Sequence, residues 1–203
     1  MRTHHEGTQE RQRNPTRAVA EAARLFNLLG YTVTSLDIVE RELRVRWEQM
    51  DPSPGGEQLA REAFDFSAAA SDRLLRTAVE AEETGPGKLD AFVTAFRSAM
   101  ERPPVEGGSP ALFAALPSFE ALPFLEARVR AVVDGWRHHV RRIIRLGIRR
   151  GEFRPSALPE QVASIVVGTM EGAMFLHRLY GDASHVDRSI AYLHRYFESE
   201  VLA

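Results

Sequence analysis

Arginines supply most of the reactive side chains in this 203-residue chain, and they are unevenly placed. From Arg128 to Arg154 there are nine arginines against two acids, with Arg137, Arg141, Arg145 and Arg149 on one i, i+4 row. Such a row reads as a solvated cationic face that an acidic partner or a nucleic-acid backbone could use. Groupings that perform catalysis do not occur. The absence of cysteine excludes disulfides, thiolate zinc sites and a cysteine nucleophile. There is no Gly-x-Ser-x-Gly elbow and no His-Glu-x-x-His helix. His138 and His139 are adjacent, so on a helix they diverge and make a poor metal pair, whereas Asp134 and His138 have the spacing of a surface pair. Gly85-Pro86-Gly87-Lys88 lacks the spacing, the hydroxyl and the preceding strand of a phosphate loop. The expectation is a protein without cofactor or metal that is not an enzyme.

The elements that position these side chains read as helices throughout. Ala18, Ala22, Leu25, Phe26 and Leu29 recur at three- and four-residue spacing from about Thr16, which gives one apolar face. Pro15 suits the first turn, and Gly30 can take the left-handed conformation that stops a helix. Ser35 is placed to cap a second helix, Leu36 to about Leu43, with Asp37 near its positive end. Asp51-Pro52-Ser53-Pro54-Gly55-Gly56 breaks the chain, since proline inside a helix costs about 3 kcal/mol. Longer helices follow over about 57–83, 88–102, 123–150, 158–179 and 186–202, with a short one near 110–116. No strand-like alternation and no internal repeat occurs. The fold class expected is all-α.

Charge and hydropathy narrow the partners. The net charge is −2, so no global basic field draws the chain to nucleic acid and any such contact must be local. Of 26 basic residues only Lys88 is a lysine. No apolar run approaches the roughly 18–20 residues that span a bilayer. A soluble cytoplasmic protein with no membrane partner is expected.

Particular residues carry a family resemblance. Ala22-Ala23-Arg24-Leu25-Phe26, then Gly30-Tyr31, Thr34-Ser35 and Asp37-Ile38-Val39, look like the start of a TetR-type (tetracycline-repressor-like) regulator. The later half is similar too: Trp136 in a basic helix, the turn Arg150-Gly151-Glu152-Phe153-Arg154, Pro159-Glu160-Gln161-Val162-Ala163, and Met170-Glu171-Gly172-Ala173. The resemblance implies an all-α fold: an N-terminal helix-turn-helix head of three helices above a C-terminal helical body for ligand binding and dimerisation. On that division residues 1–14 are an arm, 15–62 the head and 63–203 the body. It also implies a homodimer holding two heads on double-stranded operator DNA, released when a small apolar or aromatic effector binds the body.

The head departs from the family pattern around residues 44–56. Related proteins follow the second helix with a glycine turn, a short helix carrying an aromatic pair, and a lysine. The turn lets the recognition helix enter the major groove, and the lysine grips phosphate. Here Arg44 stands where the glycine is expected, the aromatic pair is unmatched, and Gly56-Glu57 replaces the usual Lys-Glu. From Leu36 to Glu62 four arginines meet seven acids, a local charge that repels phosphate. Candidate DNA contacts are Arg11, Arg13 and Arg17 in and beside the arm, then Thr34, Ser35, Arg44, Arg46 and Trp47. An arm of this kind positions a protein without reading bases. Natural divergence is one origin of the patch. A one-base frame slip between intact flanks is the other, since shifted codons for Trp47 to Pro54 can read Gly-Ser-Lys-Trp-Thr-His-Leu-Pro.

The body carries two further candidate sets. The resemblance places an effector between its helices, with Phe92, Phe96, Met100, Phe113, Trp136, His139, Ile143, Met170 and Met174 as walls. Aromatic and methionine side chains make adaptable apolar surfaces, and His139 or Arg97 could orient a polar group. A dimer interface is expected from Val162, Ile165, Val166, Thr169, Gly172, Ala173 and Leu176 on one helix. Ile190, Leu193 and Phe197 on the last helix would complete a four-helix seam.

Overall fold

The structure is a computed structural model, and it describes residues 15–31, 38–39, 41–42, 56–107, 109 and 123–203. Among these it is all-α, as expected. Its helices are α1 (Pro15–Leu29), α2 (Gly56–Glu80), α3 (Gly85–Glu101), α4 (Phe124–Arg150), α5 (Pro159–Tyr180) and α6 (Ser184–Tyr196). A π-turn, Phe197–Val201, continues α6. The only pairing of strand type among the described residues is an isolated antiparallel bridge between Phe153 and Leu202. The expected helices over 36–43 and 110–116 and the break at 51–55 lie outside the described residues, apart from helical turns at 38–39 and 41–42.

Packing divides the described residues into two compact units. One combines residues up to Ala68 with Val105–Glu126, and the other combines Ala69–Pro104 with Ala127–Ala203. Residues 56–68 of α2 therefore belong to the first unit and 69–80 to the second.

In the first unit the apolar face of α1 is buried as its spacing demands: Ala22, Ala23, Leu25 and Phe26. Gly30 stops the helix at φ +86°, and its N–H donates to the Phe26 carbonyl at 2.8 Å. That turn aims Tyr31 back into the core. Its ring stacks on Phe26 with centroids 4.8 Å apart and meets Phe64 of α2 edge-on at 5.7 Å. Asn27 and Ser67 are buried polar residues, and the Asn27 amide donates to Ser67 Oγ at 3.2 Å. Such pairing is what makes their burial tolerable. At the edge of the unit Arg24 reaches Glu106 at 3.4 Å, and the Arg61 guanidinium lies 4.1 Å above the Phe124 ring.

The second unit is a helical bundle whose interior holds Leu89, Phe92, Phe96, Trp136, Val140, Ile144, Val166, Met170 and Leu193, among others. Helix α3 begins at a capped turn in which Thr84 Oγ1 accepts from the Gly87 N–H at 3.1 Å. Lys88, the one lysine, donates its ammonium to the Val79 and Glu82 carbonyls at the end of α2. A cation there opposes the negative end of the helix dipole. Asp182 accepts from the Ser184 N–H (2.8 Å) and hydroxyl (2.6 Å), and these bonds hold its carboxyl below the usual carboxylate range. They set the start of α6 two residues before the sequence-based one. Helices α3 and α6 are joined by Asp90–His194 at 2.7 Å and Arg97–Asp187 at 2.8 Å.

Candidate functional site

The apolar candidates for effector binding gather in the second unit. Phe92, Phe96 and Met100 lie on α3, Trp136, His139 and Ile143 on α4, and Met170 and Met174 on α5. Phe113 lies outside the described residues. Three rings form one run: Phe92 and Phe96 have centroids 5.5 Å apart, and Phe96 meets Trp136 edge-on at 5.6 Å. The edge-on arrangement suits the ring quadrupoles. Met100 and His139 are half-buried, while the other six described members are buried.

Polar groups beside this wall differ from those the sequence suggested. Arg97 is committed to Glu101 at 3.1 Å and Asp187 at 2.8 Å on the exposed side of α3, so it does not serve the wall. His139 does hold a polar contact, from Nε2 to Asp72 Oδ1 of α2 at 3.1 Å. Arg76, one turn further along α2, approaches the other Asp72 oxygen at 3.6 Å. Asp72 was not foreseen, because it lies 67 residues from His139 and no spacing rule links the two.

The arginine row of α4 is engaged as well as solvated. Arg141 and Arg145 reach Glu160 at 3.0 Å and 3.3 Å, and Arg137 approaches it at 3.9 Å while also donating to Ser164 at 3.2 Å. Three guanidinium groups thus converge on one carboxylate in the first turn of α5, where the helix dipole favours an acid. Asp134 pairs with Arg137 at 3.3 Å, not with His138 as its spacing had suggested.

Burial redraws the expected dimer stripe. Val162, Val166, Ala173, Leu193 and Phe197 are buried within the second unit itself, so they have no surface left to offer a partner. They recur at helical spacing because the protomer's own core requires them. Ile165, Thr169 and Ile190 are half-buried, and Gly172 and Leu176 are exposed. The open apolar surface of α5 takes in Leu176 of that stripe and extends past it: Leu158 just before the helix, then Phe175, Leu179 and Tyr180, of which Leu179 and Tyr180 are 59% and 66% exposed. Gly168 and Gly172 lie on this face, and nothing stands within 4 Å of a side chain built on either. Tyr192 of α6 is also open. Isolated exposed apolar residues are ordinary on a folded protein, whereas these lie in a row with glycines between them.

The candidate DNA contacts Arg11, Arg13, Thr34, Ser35, Arg44, Arg46 and Trp47 lie outside the described residues. Arg17 lies in the first turns of α1. Among the described residues no helix is long and apolar enough to cross a membrane, and no group of His, Asp and Glu could hold a metal ion.

Comparison with known proteins places the chain. No curated protein matches it. The family model for the tetracyclin repressor-like C-terminal domain matches residues 85–193. A TetR transcriptional regulator from Chloroflexus aurantiacus J-10-FL is 33% identical, with 97% of this chain and 100% of that one covered and a TM-score of 0.85. A TetR family regulator from Cytophaga hutchinsonii shares the fold at 18% identity, with 98% of each chain covered and a TM-score of 0.77. So does the TetR family regulator CifR, whose structure is a complex with 26-bp double-strand operator DNA. It is 17% identical, with 92% of this chain and 96% of that chain covered and a TM-score of 0.75. With one family model spanning more than half its length and a full-length match at 33% identity, the chain belongs to the TetR family of transcriptional regulators.

Proposed function

We propose that this protein is a cytoplasmic, ligand-responsive repressor that works as a homodimer. The observation that carries the reading is the full-length match to the Chloroflexus aurantiacus regulator at 33% identity, which runs through head and body alike. Residues 15–62 form the DNA-binding head, residues 63–203 the ligand-binding and dimerisation body, and residues 1–14 an arm that follows the phosphate backbone. Two copies pair through the open face of α5, supported by α6, and hold two heads on palindromic operator DNA. The operator complex of CifR, which shares the fold, supports this partner. An apolar or aromatic effector enters beside Phe96, Trp136 and Met170 and releases the DNA by binding the two states of the dimer with different affinity. The protein regulates without catalysing a reaction.

The segment from Leu36 to Glu62 favours a second reading, a helical ligand-binding or adaptor protein that no longer reads DNA. Its four arginines against seven acids oppose phosphate, and Arg44 occupies the place of the turn glycine. Fluorescence anisotropy on the DNA flanking its own gene separates the two readings. The chain as it stands is expected to bind weakly, with a Kd of about micromolar or above at physiological salt. A version with a family-like glycine turn and recognition helix across residues 44–56 is expected to bind specifically, at about nanomolar Kd. Effector binding with no specific DNA binding by either version would decide for the adaptor.

A further inference from the structure

We infer that Asp72 fixes the hydrogen-bonding polarity of His139, and so selects effectors that carry a hydroxyl or N–H donor on a neutral apolar frame. The inference rests on the reading that the apolar interior of the second unit takes the effector. An ionised carboxylate only accepts hydrogen bonds. With Asp72 Oδ1 at 3.1 Å from His139 Nε2, the neutral imidazole must carry its proton on Nε2. Arg76, at 3.6 Å from the second Asp72 oxygen, holds the carboxylate from its other side. The remaining nitrogen, Nδ1, is then a lone-pair acceptor, and it takes no hydrogen bond from any described residue.

Its position gives that lone pair a use. His139 lies one helical turn from both Trp136 and Ile143, and those two are buried whereas the His139 side chain is 25% exposed. The imidazole therefore sits at the margin of the apolar wall, where no described residue donates to its acceptor. A ligand hydroxyl or N–H satisfies it. An ether oxygen meets it lone pair to lone pair, and a carboxylate is opposed further by the charge of Asp72. Asp72 is a positioning residue here, acting through His139.

The test uses the full chain at about pH 8.5, where a histidine is ordinarily neutral. Long-range proton–nitrogen NMR on histidine-labelled protein reads the tautomer directly, with His139 assigned by loss of its signals in His139→Phe. The expected spectrum has the proton on Nε2. Binding is then measured for phenols and their methyl ethers, matched from phenol and anisole to 2-naphthol and 2-methoxynaphthalene. The phenols are expected to bind about 10-fold more tightly, the worth of one hydrogen bond. Asp72→Ala should give a mixture of tautomers and cut that preference several-fold, with the methyl ethers unchanged. His139→Phe should abolish the preference. Asp72→Asn, whose amide either accepts or donates, should unlock the tautomer with no change in side-chain volume. A proton on Nδ1 in the unaltered protein overturns the inference. Equal binding of the two series, or a preference that survives both Asp72→Ala and His139→Phe, also overturns it while leaving the effector site in place. If no compound of either series binds although the tautomer is as expected, the reading of the interior as an effector site falls, and the selectivity with it.

Discussion

Phe153 folds its ring back onto Gly147 of α4, so closely that a side-chain carbon on Gly147 would overlap it. The contact fastens a junction of three segments. Glu152 accepts a hydrogen bond from the Gly85 N–H at 2.8 Å, Phe153 bridges to Leu202, and the Arg154 N–H donates to the Val201 carbonyl at 2.9 Å. The start of α3, the end of α4 and the last residues of the chain therefore meet at one aromatic ring.

Gly147→Ala is accordingly expected to destabilise the protein by about 1–3 kcal/mol, the usual cost of overpacking a filled site. Gly135→Ala, in the same helix, is the control. Nothing lies within 4 Å of a side chain built there, so helix propensity alone acts and stability should rise by up to about 1 kcal/mol. Thermal unfolding followed by circular dichroism should move the two midpoints in opposite directions, by about 2–4 °C per kcal/mol. Equal midpoints would mean that the ring yields freely and does not hold the junction.

Asn27 and Ser67 tie α1 to α2 through a buried hydrogen bond of 3.2 Å. Ser67→Ala leaves the Asn27 amide without that acceptor, and a buried donor left unpaired costs about 1–3 kcal/mol. Asn27→Leu removes the demand as well as the bond. The double variant should therefore lose less than the two single variants together, by at least about 0.5 kcal/mol in a denaturant-unfolding cycle. Strict additivity would show that the two side chains do not depend on each other.

Tyr31 makes the first unit sensitive to alkali. Burial pushes its phenol far above the ordinary tyrosine range, the Ser67 hydroxyl pulls the other way, and the charge of Asp65 adds to the rise. The folded state thus keeps the proton when the unfolded state has released it. The stabilisation is complete below the unfolded value of about 10 and is lost as pH rises above it towards the folded one. Chemical stability should fall between about pH 10 and 11.5, and Tyr31→Phe should flatten that fall. The phenolate absorbance of Tyr31 should emerge only together with unfolding. A Tyr31 that titrates in the native protein near 10 would contradict its enclosure.

The extent to which the sequence disclosed this molecule follows from the range of each interaction. Helices α1 to α5 are set by apolar spacing and by local stops such as Pro15, Gly30 and Pro159, and their ends fall within about three residues of the sequence-based ones. The Gly151–Glu152–Phe153 turn was legible as a family motif, but the recipients of its contacts, Gly147 and Gly85, were not. The open face of α5 was legible only in part, for a related reason. With apolar residues almost all round, α5 has no single stripe, and only packing decides which side the core takes. Val162, Val166 and Ala173 went inward, which left Phe175, Leu176 and Leu179 outside. Asp72 was invisible because a helix pattern records what is one turn away and nothing of what another helix brings.

The outward face of α5 gives the sharpest test of assembly. Leu179 and Phe175 are exposed, so a charge on either should leave the protomer's fold intact. In a symmetric dimer every substitution appears twice, and burying an unpaired carboxylate is strongly unfavourable. Leu179→Glu and Phe175→Glu are therefore expected to raise the dimer dissociation constant at least about 100-fold with unchanged helicity. Val166→Glu, inside the core, should instead unfold the second unit. Sedimentation with fluorescence detection over a dilution series downward from about 10 micromolar reads the outcome, since a 100-fold change in dissociation constant moves the dissociation midpoint about 100-fold in concentration whatever the starting affinity. A monomeric unaltered protein at the highest of these concentrations would remove the dimer from the proposal. A dimer that survives both charges would move its seam to another face, leaving the open row of α5 without a role in self-association.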